Sequence, residues 1–241
     1  MDAQYAAAYP DLYRRHWWWR VREDILLRKI GELFKDGRAA RILDVGCGAA
    51  LFFDALDRFG SVEGLESDRT VVERSGKWKS RVTIGELDDS YTPSAPYDLI
   101  LMLDVIEHIR DPSPLLRRAS QILAPTGRLL VTVPAFSWLW TSHDDMNHHV
   151  TRYTARQLQA AIDGAGLVTL EIGYLFQSLV VPKLLVRAKE SLVSRTPRIP
   201  RILPPVLNRA ARAWFRAEHR VAGRLPFGGS LLAVAAARRV V

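Results

Sequence analysis

Leu43-Asp44-Val45-Gly46-Cys47-Gly48-Ala49-Ala50 sets a glycine turn directly behind a short apolar run, Arg41 to Val45, and ahead of Leu51 to Phe59, which reads as a helix. Glycine at 46 and 48 lets the backbone approach a ligand that a Cβ would push away. A dinucleotide turn would carry its third glycine where Leu51 stands, so close pyrophosphate packing is disfavoured. Cys47, inside the turn, reads as a small lining residue with no base beside it to activate the thiol. Beyond the turn, Val62 to Glu66 is a second strand run, and an acid at its end can accept hydrogen bonds from both hydroxyls of a ribose.

Further short apolar runs lie at Arg81 to Gly85, Tyr97 to Leu103 and Arg128 to Pro134, with helical stretches between them. Leu115 to Leu123 is apolar at helical spacing and is stopped by Ala124-Pro125-Thr126-Gly127, a turn signal. Such alternation predicts parallel strands with crossover helices, an open sheet that binds ligands at the carboxyl ends of its strands. Thr154 and Gln157 form a capping-box pattern ahead of Leu158, Ala161, Ile162 and Ala165, and Gly166 supplies the stop. Leu167 to Gly173 and Ser230 to Ala237 read as two more strands.

Four ordered motifs then converge: LDVGCG, the GLES at Gly64 to Ser67, the fourth strand running into Asp104-Val105-Ile106-Glu107-His108-Ile109 and Asp111-Pro112, and Leu123 to Leu130. Together they resemble the class I S-adenosylmethionine-dependent methyltransferases over Arg41 to Gly173. The resemblance implies an α/β, Rossmann-like, mostly parallel sheet flanked by helices, with an antiparallel last strand and, here, a C-terminal helical insertion. It implies S-adenosyl-L-methionine as methyl donor, with Asp44, Gly46, Cys47 and Gly48 around its amino-acid end and sulfonium. By position it also puts Glu66 and Ser67 at the ribose, Glu86 and Leu87 along the adenine, and Leu103 as a wall near the methyl. Ala50 replaces a glycine found in many members. A nicotinamide enzyme would share the glycine turn and Glu66, and Leu51 weakens that reading. Asp98 reads as a structural cap, His108 as a helix start or a site residue, and Asp104 as a loop hydrogen-bonder or a pocket residue.

Two segments bear on the acceptor. His16-Trp17-Trp18-Trp19-Arg20-Val21-Arg22 precedes a helical run at Ile25 to Phe34 and is similar to an aromatic segment in one bacterial branch of the family. Its rings either dock on the core or cover the cofactor, with Arg22 or Arg20 meeting the donor carboxylate. After the fifth strand, Thr141-Ser142-His143-Asp144-Asp145-Met146-Asn147-His148-His149, then Arg152-Tyr153-Thr154, matches the H-D…H…R-Y-T pattern of the same branch. A neutral histidine, with a reference pKa of about 6.5, suits a general base for a hydroxyl acceptor, and His143, His148 and His149 are the candidates. Structural hydrogen bonding and a divalent metal remain open for this loop, although it lacks a signature ligand spacing, and no metal ligand is assigned.

The charge is uneven. The 241 residues carry a net +8, yet Met1 to Tyr174 holds 21 basic and 24 acidic residues, while Leu175 to Ser230 holds 11 basic and 2 acidic. Arg209, Arg212, Arg216 and Arg220 recur on one helical stripe beside Leu207, Ala211, Trp214 and Val221, and an apolar patch spans Leu175, Phe176, Leu179, Val180, Leu184 and Leu185. This predicts either a cap whose apolar stripe packs on the core or a contact with an anionic membrane surface or lipid-linked acceptor. Nucleic acid is disfavoured, since no RNA-binding module precedes the helix. The segments expected are 1–40, covering helices; 41–174, the donor-binding core; 175–229, the basic insertion; and 230–241, the last strand.

A single cysteine excludes an intramolecular disulfide and a cysteine-rich metal cluster. Met1 to Pro10 shows no secretory pattern, and no run approaches the roughly 18 apolar residues of a membrane span. A cytoplasmic protein, peripheral at the inner membrane face, is the expectation. The activity expected is O-methylation of a small or lipid-linked molecule, with N- or C-methylation open and a non-catalytic, membrane-associated donor-binding scaffold as the competing reading.

Overall fold

The computed structural model describes residues 3–192, 199–222 and 225–238. Two helices lead, α1 (Ala3–Arg15) and α2 (Trp17–Leu33). The tryptophan run does not precede the second helix but opens it. His16 is extended, and its ring nitrogen accepts from the Trp18 N–H at 3.1 Å, so the cap falls nine residues before Ile25.

The chain continues through β1 (Ala40–Val45), α3 (Phe53–Leu56), β2 (Gly60–Glu66), α4 (Arg69–Val72), β3 (Val82–Ile84), β4 (Tyr97–Leu103) and α5 (Ser113–Ile122). It then runs through β5 (Leu123–Pro134), α6 (Ser142–Met146), α7 (Ala155–Gly164), β6 (Leu167–Leu175), α8 (Val180–Leu192), α9 (Pro205–Ala222) and β7 (Ser230–Ala237). The helix expected over Leu51 to Phe59 is shorter, because the chain must turn back at once to lay Gly60 beside Ala40. Gly60 sits at φ 145°, and a Cβ there would lie 2.0 Å from the Ala40 carbonyl, so only glycine closes this turn. Ala124 to Gly127 is a turn held inside β5: Tyr97 pairs with Leu123 and Leu99 already with Arg128. Both halves of the Thr154–Gln157 capping box form.

The seven strands order as β3-β2-β1-β4-β5-β7-β6. All pair in parallel except β7, which is antiparallel to both β5 and β6. The order reverses at β1, with β2 on one side and β4 on the other, which opens a crevice at the carboxyl ends of these strands. Successive residues alternate faces. Leu43, Ile100, Met102 and Val131 pack with α5 and α7, while Ile42, Leu99, Leu101 and Leu130 pack with α2 and Phe53.

The insertion departs from the packed-cap reading. Phe215 is the buried anchor of α9, stacking on Trp17 at 4.5 Å, and Asn208, two turns earlier, accepts from the Trp17 N–H at 2.9 Å and donates to the Arg15 carbonyl at 2.8 Å. With that face inward, and Arg216 paired to Asp24, the anticipated apolar stripe turns out. Leu207, Trp214 and Val221 are 56%, 62% and 86% exposed. In the same way Leu175, Phe176 and Val180 are buried, but Leu184 and Leu185 are exposed. The insertion residues 193–198 and 223–224, with Arg239, lie outside the described residues. Among the described residues, no helix is long and apolar enough to cross a membrane.

Candidate active site

A cavity of about 1020 Å³ occupies the crevice, floored by the ends of β1, β2 and β4 and walled by α1, α2 and α8. Asp44, Gly46, Cys47, Gly48, Glu66, Ser67, Glu86, Leu87, Leu103 and Arg22 all line it. Residues from five separate stretches of sequence thus meet at one surface.

The glycine turn is held by backbone bonds: the Gly46 and Cys47 N–H groups donate to the Leu65 carbonyl at 2.7 and 3.3 Å. Gly46 and Gly48 are left-handed, at φ 69° and 57°, and a Cβ on Gly46 would meet Val105 at 2.8 Å. Glu66 braces the turn, taking the Gly48 N–H on Oε2 and the Asp68 N–H on Oε1, both at 2.9 Å. Each oxygen keeps acceptor capacity for a further donor. Asp44 is buried and makes no side-chain hydrogen bond among the described residues; burial pushes its carboxyl up to about 7. The Cys47 thiol is likewise pushed up by burial, the opposite of an activated cysteine.

These residues fit S-adenosylmethionine: an unpaired acid faces the cavity where a sulfonium and an ammonium would lie, and a carboxylate with spare acceptor capacity stands where the diol would lie. Arg22 adds a guanidinium, paired to Asp104 at 2.9 Å and donating to Thr132 at 2.9 Å. Asp104 is left-handed at φ 59°, a strained backbone that this pairing and a bond from the Thr132 hydroxyl hold in place. Arg20, the alternative to Arg22, pairs with Glu23 at 2.7 Å and does not reach the cavity.

The three candidate histidines separate. Asp144, fully buried on α6, accepts from His149 Nδ1 at 2.8 Å, from Arg152 Nε and Nη2 at 2.8 and 3.0 Å, and from the Thr141 N–H at 2.9 Å. Burial alone would raise its carboxyl, but His149, the Arg152 charge and these bonds hold it well below the usual range. The His149 ring lines the cavity 4.9 Å from that of His108, and ligand-type atoms of Glu107, His108 and His149 lie within 4.8 Å of one another. His148 does not join them: it is exposed, at φ 57°, and this left-handed turn sends the chain outward before His149 returns. His143 lines the cavity edge-on to Tyr5 at 5.6 Å, and burial pushes its pKa down to about 4.

Several cavity residues had no role in the sequence reading. Glu107 is fully buried with neither oxygen hydrogen-bonded among the described residues, and burial raises its carboxyl well above the usual range. Asp144, read only as part of a motif, proves the hub of the hydrogen bonds that join His149, Arg152 and Thr141. Tyr5 and Tyr9 reach in from α1 and Lys183 from α8. Glu107 alone had a local signal, an acid just past the end of an apolar strand; the tyrosines and the lysine sit in helices remote in sequence.

A family model described as a methyltransferase domain matches residues 18–172. The chain belongs to that family. It is a class I methyltransferase with S-adenosylmethionine as donor, and its sheet has the Rossmann-like form of that class. This removes the nicotinamide and non-catalytic readings. A ubiquinone biosynthesis O-methyltransferase from Azorhizobium caulinodans is 28% identical over 180 residues, covering 65% of this chain and 71% of that one. The same-named protein of Aeromonas salmonicida is 28% identical over 121 residues, 46% of this chain and about half, 49%, of its own length.

Solved structures of methyltransferases share the fold. A SAM-dependent methyltransferase from Archaeoglobus fulgidus superposes with a TM-score of 0.56 at 14% identity, over 88% of this chain and 93% of that one. A phosphoethanolamine N-methyltransferase from Haemonchus contortus, with S-adenosylhomocysteine bound, gives 0.53 at 16% identity, over 83% and 49%.

Proposed function

We propose that this methyltransferase methylates a hydroxyl oxygen of a small or lipid-linked acceptor, with His149 taking the proton. The observation that carries this is the Asp144–His149 contact. The buried carboxylate accepts the Nδ1 proton, so in the neutral ring the other nitrogen is the free acceptor, on a ring that lines the cavity. His143 is a poorer base, since burial pushes its pKa to about 4, and His148 faces away.

When bound, S-adenosylmethionine supplies an electrophilic methyl group on a sulfonium. The chain's own residues align it. Asp44, Gly46, Cys47 and Gly48 face its amino-acid end and sulfonium, Glu66 and Ser67 the ribose, Glu86 and Leu87 the base, and Leu103 the methyl side. Arg22, already paired to Asp104, offers its remaining donors to the donor's carboxylate. By segment, 41–174 with 230–241 carries the donor site, 1–40 covers it, and 175–229 shapes the acceptor side. The relatives named as ubiquinone biosynthesis O-methyltransferases support a hydroxyl on a small molecule. With phenols, aliphatic amines and activated carbon acids offered at saturating donor, S-adenosylhomocysteine should form with the phenols; turnover on amines alone would overturn the reading.

A second reading has one observation in its favour. The Glu107, His108 and His149 cluster could hold a divalent cation that acidifies the acceptor hydroxyl in place of a base. Turnover lost on chelation and restored by Mg²⁺ or Zn²⁺ would favour it, whereas turnover indifferent to chelator leaves the proton to His149.

We further propose that 175–229 rests on an anionic membrane. Val181, Leu185 and Leu192 on α8 and Leu207, Trp214 and Val221 on α9 are exposed, among exposed Lys189, Arg201, Arg209 and Arg220. Apolar side chains flanked by cations suit a surface of anionic headgroups. The protein should sediment with phosphatidylglycerol vesicles and not with neutral phosphatidylcholine ones, and Leu185→Glu with Trp214→Glu should abolish it. Equal sedimentation with both vesicles would count against the assignment.

A further inference from the structure

The acceptor side of the cavity holds an uncompensated cation. Two other cations of its lining are neutralised, Arg22 by Asp104 at 2.9 Å and Arg152 by Asp144 at 2.8 Å. Lys183, on the first turn of α8, also lines the cavity, yet among the described residues it makes neither an ion pair nor a hydrogen bond. Its neighbours on the helix, Val181, Leu184 and Leu185, are exposed, while Val180 is buried, so Lys183 turns into the cavity beside apolar residues that face solvent. That is the reverse of the usual arrangement, in which a lysine stem lies on apolar surface and the ammonium reaches water.

A half-buried ammonium without a partner loses part of its hydration, and an anion entering the cavity would replace it. Burial, and then the neighbouring charge of Arg152, push Lys183 down to about 8; Asp144 and Asp104 are too far to pair with it but offset part of that shift. It therefore remains mostly protonated near neutrality. The charged group facing it is the Arg152 guanidinium, already paired to Asp144; the His143 ring, its pKa pushed down to about 4, is neutral near pH 7 and adds no charge.

The same cavity carries aromatic lining. Tyr5 and Tyr9 meet edge to face at 6.0 Å, and Tyr5 stands edge-on to His143 at 5.6 Å. Aromatic walls alone would serve a flat ring or a quaternary ammonium equally. Lys183 breaks that tie, because a cationic acceptor would be repelled by it.

We infer that Lys183 forms an anion subsite, and that the acceptor is an aromatic molecule carrying an acidic group, a carboxylate or a phosphate, whose charge it meets. The inference rests on the acceptor side of the cavity lying where the proposed hydroxyl methylation puts it. It names the acceptor's class and makes Lys183 its specificity determinant. The ammonium does not touch the reacting hydroxyl; it sets which ring enters and by which end.

Binding tests this without relying on turnover. With the full-length protein saturated by S-adenosylhomocysteine, calorimetry compares 3,4-dihydroxybenzoate with catechol, which lacks only the carboxylate, and phenyl phosphate with phenol. At least one acid should bind about tenfold or more tighter than its neutral partner, the equivalent of one paired charge. Lys183→Met should remove that preference while leaving catechol and S-adenosylhomocysteine affinities unchanged, and Lys183→Arg should keep most of it. Which acid wins tells carboxylate from phosphate. No acid preference in the wild type, no binding of either acid, or a preference that survives Lys183→Met would overturn the subsite. An acid preference alongside amine methylation would sink the hydroxyl reading and leave the subsite standing.

Discussion

Asp144→Ala should lower the unfolding free energy by about 3–5 kcal/mol, a large part of the roughly 5–15 kcal/mol of a typical domain. Five donor atoms converge on this fully buried carboxylate, and its removal strands the Arg152 guanidinium, itself buried, with the Ala135 carbonyl at 2.9 Å as its one remaining hydrogen-bond partner among the described residues. An uncompensated buried charge is the expensive outcome, more than the lost attraction. Urea titration at neutral pH reads the effect; a loss under about 1 kcal/mol would mean that Arg152 swings to water or that the site hydrates. The pH dependence follows from the sign of the shift. The folded carboxyl is held below its unfolded value, so its contribution is complete above about pH 4 and disappears as the pH falls through the folded value. Wild type and variant should therefore converge only in acid.

For His149→Ala, the expected result is a fall in kcat of about 10²–10⁴ at saturating donor, with S-adenosylhomocysteine affinity unchanged. The ring is the one histidine that both lines the cavity and has a nitrogen fixed by a buried acid. Because the substitution also removes a donor to Asp144, His149→Asn is the companion: its amide can reach Asp144 while offering no base, so it should be as slow as alanine but more stable. His148→Ala, at an exposed ring, should leave kcat within about twofold, in line with the small effect of surface changes. A His149→Asn enzyme of wild-type rate would remove the base from His149, and a rate restored by added divalent cation would move the chemistry to the Glu107 cluster.

The parts of this protein that could be read directly are those set within a few residues. Gly46 and Gly48 are legible because a left-handed turn admits little else, and Glu66 because the strand ahead of it is short and apolar. The helix at Ala155 announces itself through Thr154 and Gln157, which satisfy each other's backbone donors. Leu51 to Phe59 misled for a related reason: its residues favour helix, but Gly60 must meet Ala40, and that pairing belongs to the sheet.

The wall proposed for the acceptor was legible in outline only. Three histidines in one loop were visible, but not which of them faces the cavity, since that follows from a left-handed residue at 148 and an acid buried five residues before His149. The α9 pattern was correct as an amphipathic period, and of its two readings the one that packed the stripe on the core fails. Leu207, Trp214 and Val221 outnumber Phe215, yet the stacking of Phe215 on Trp17 and the two bonds of Asn208 to the α1–α2 junction decide the rotation. Helical periodicity says that a helix has two faces and not which one a neighbour covers.

Sequence by itself thus determined the strands, the donor turn and the family, because alternation, caps and glycine turns are energetic choices made between near neighbours. Tertiary structure decided the wall proposed for the acceptor: Asp144 with His149 and Arg152, Lys183 facing in from α8, and Tyr5 reaching over from α1. Their roles come from burial and charge pairing across distant segments, and a side chain's solvation is a property of whatever the fold brings against it.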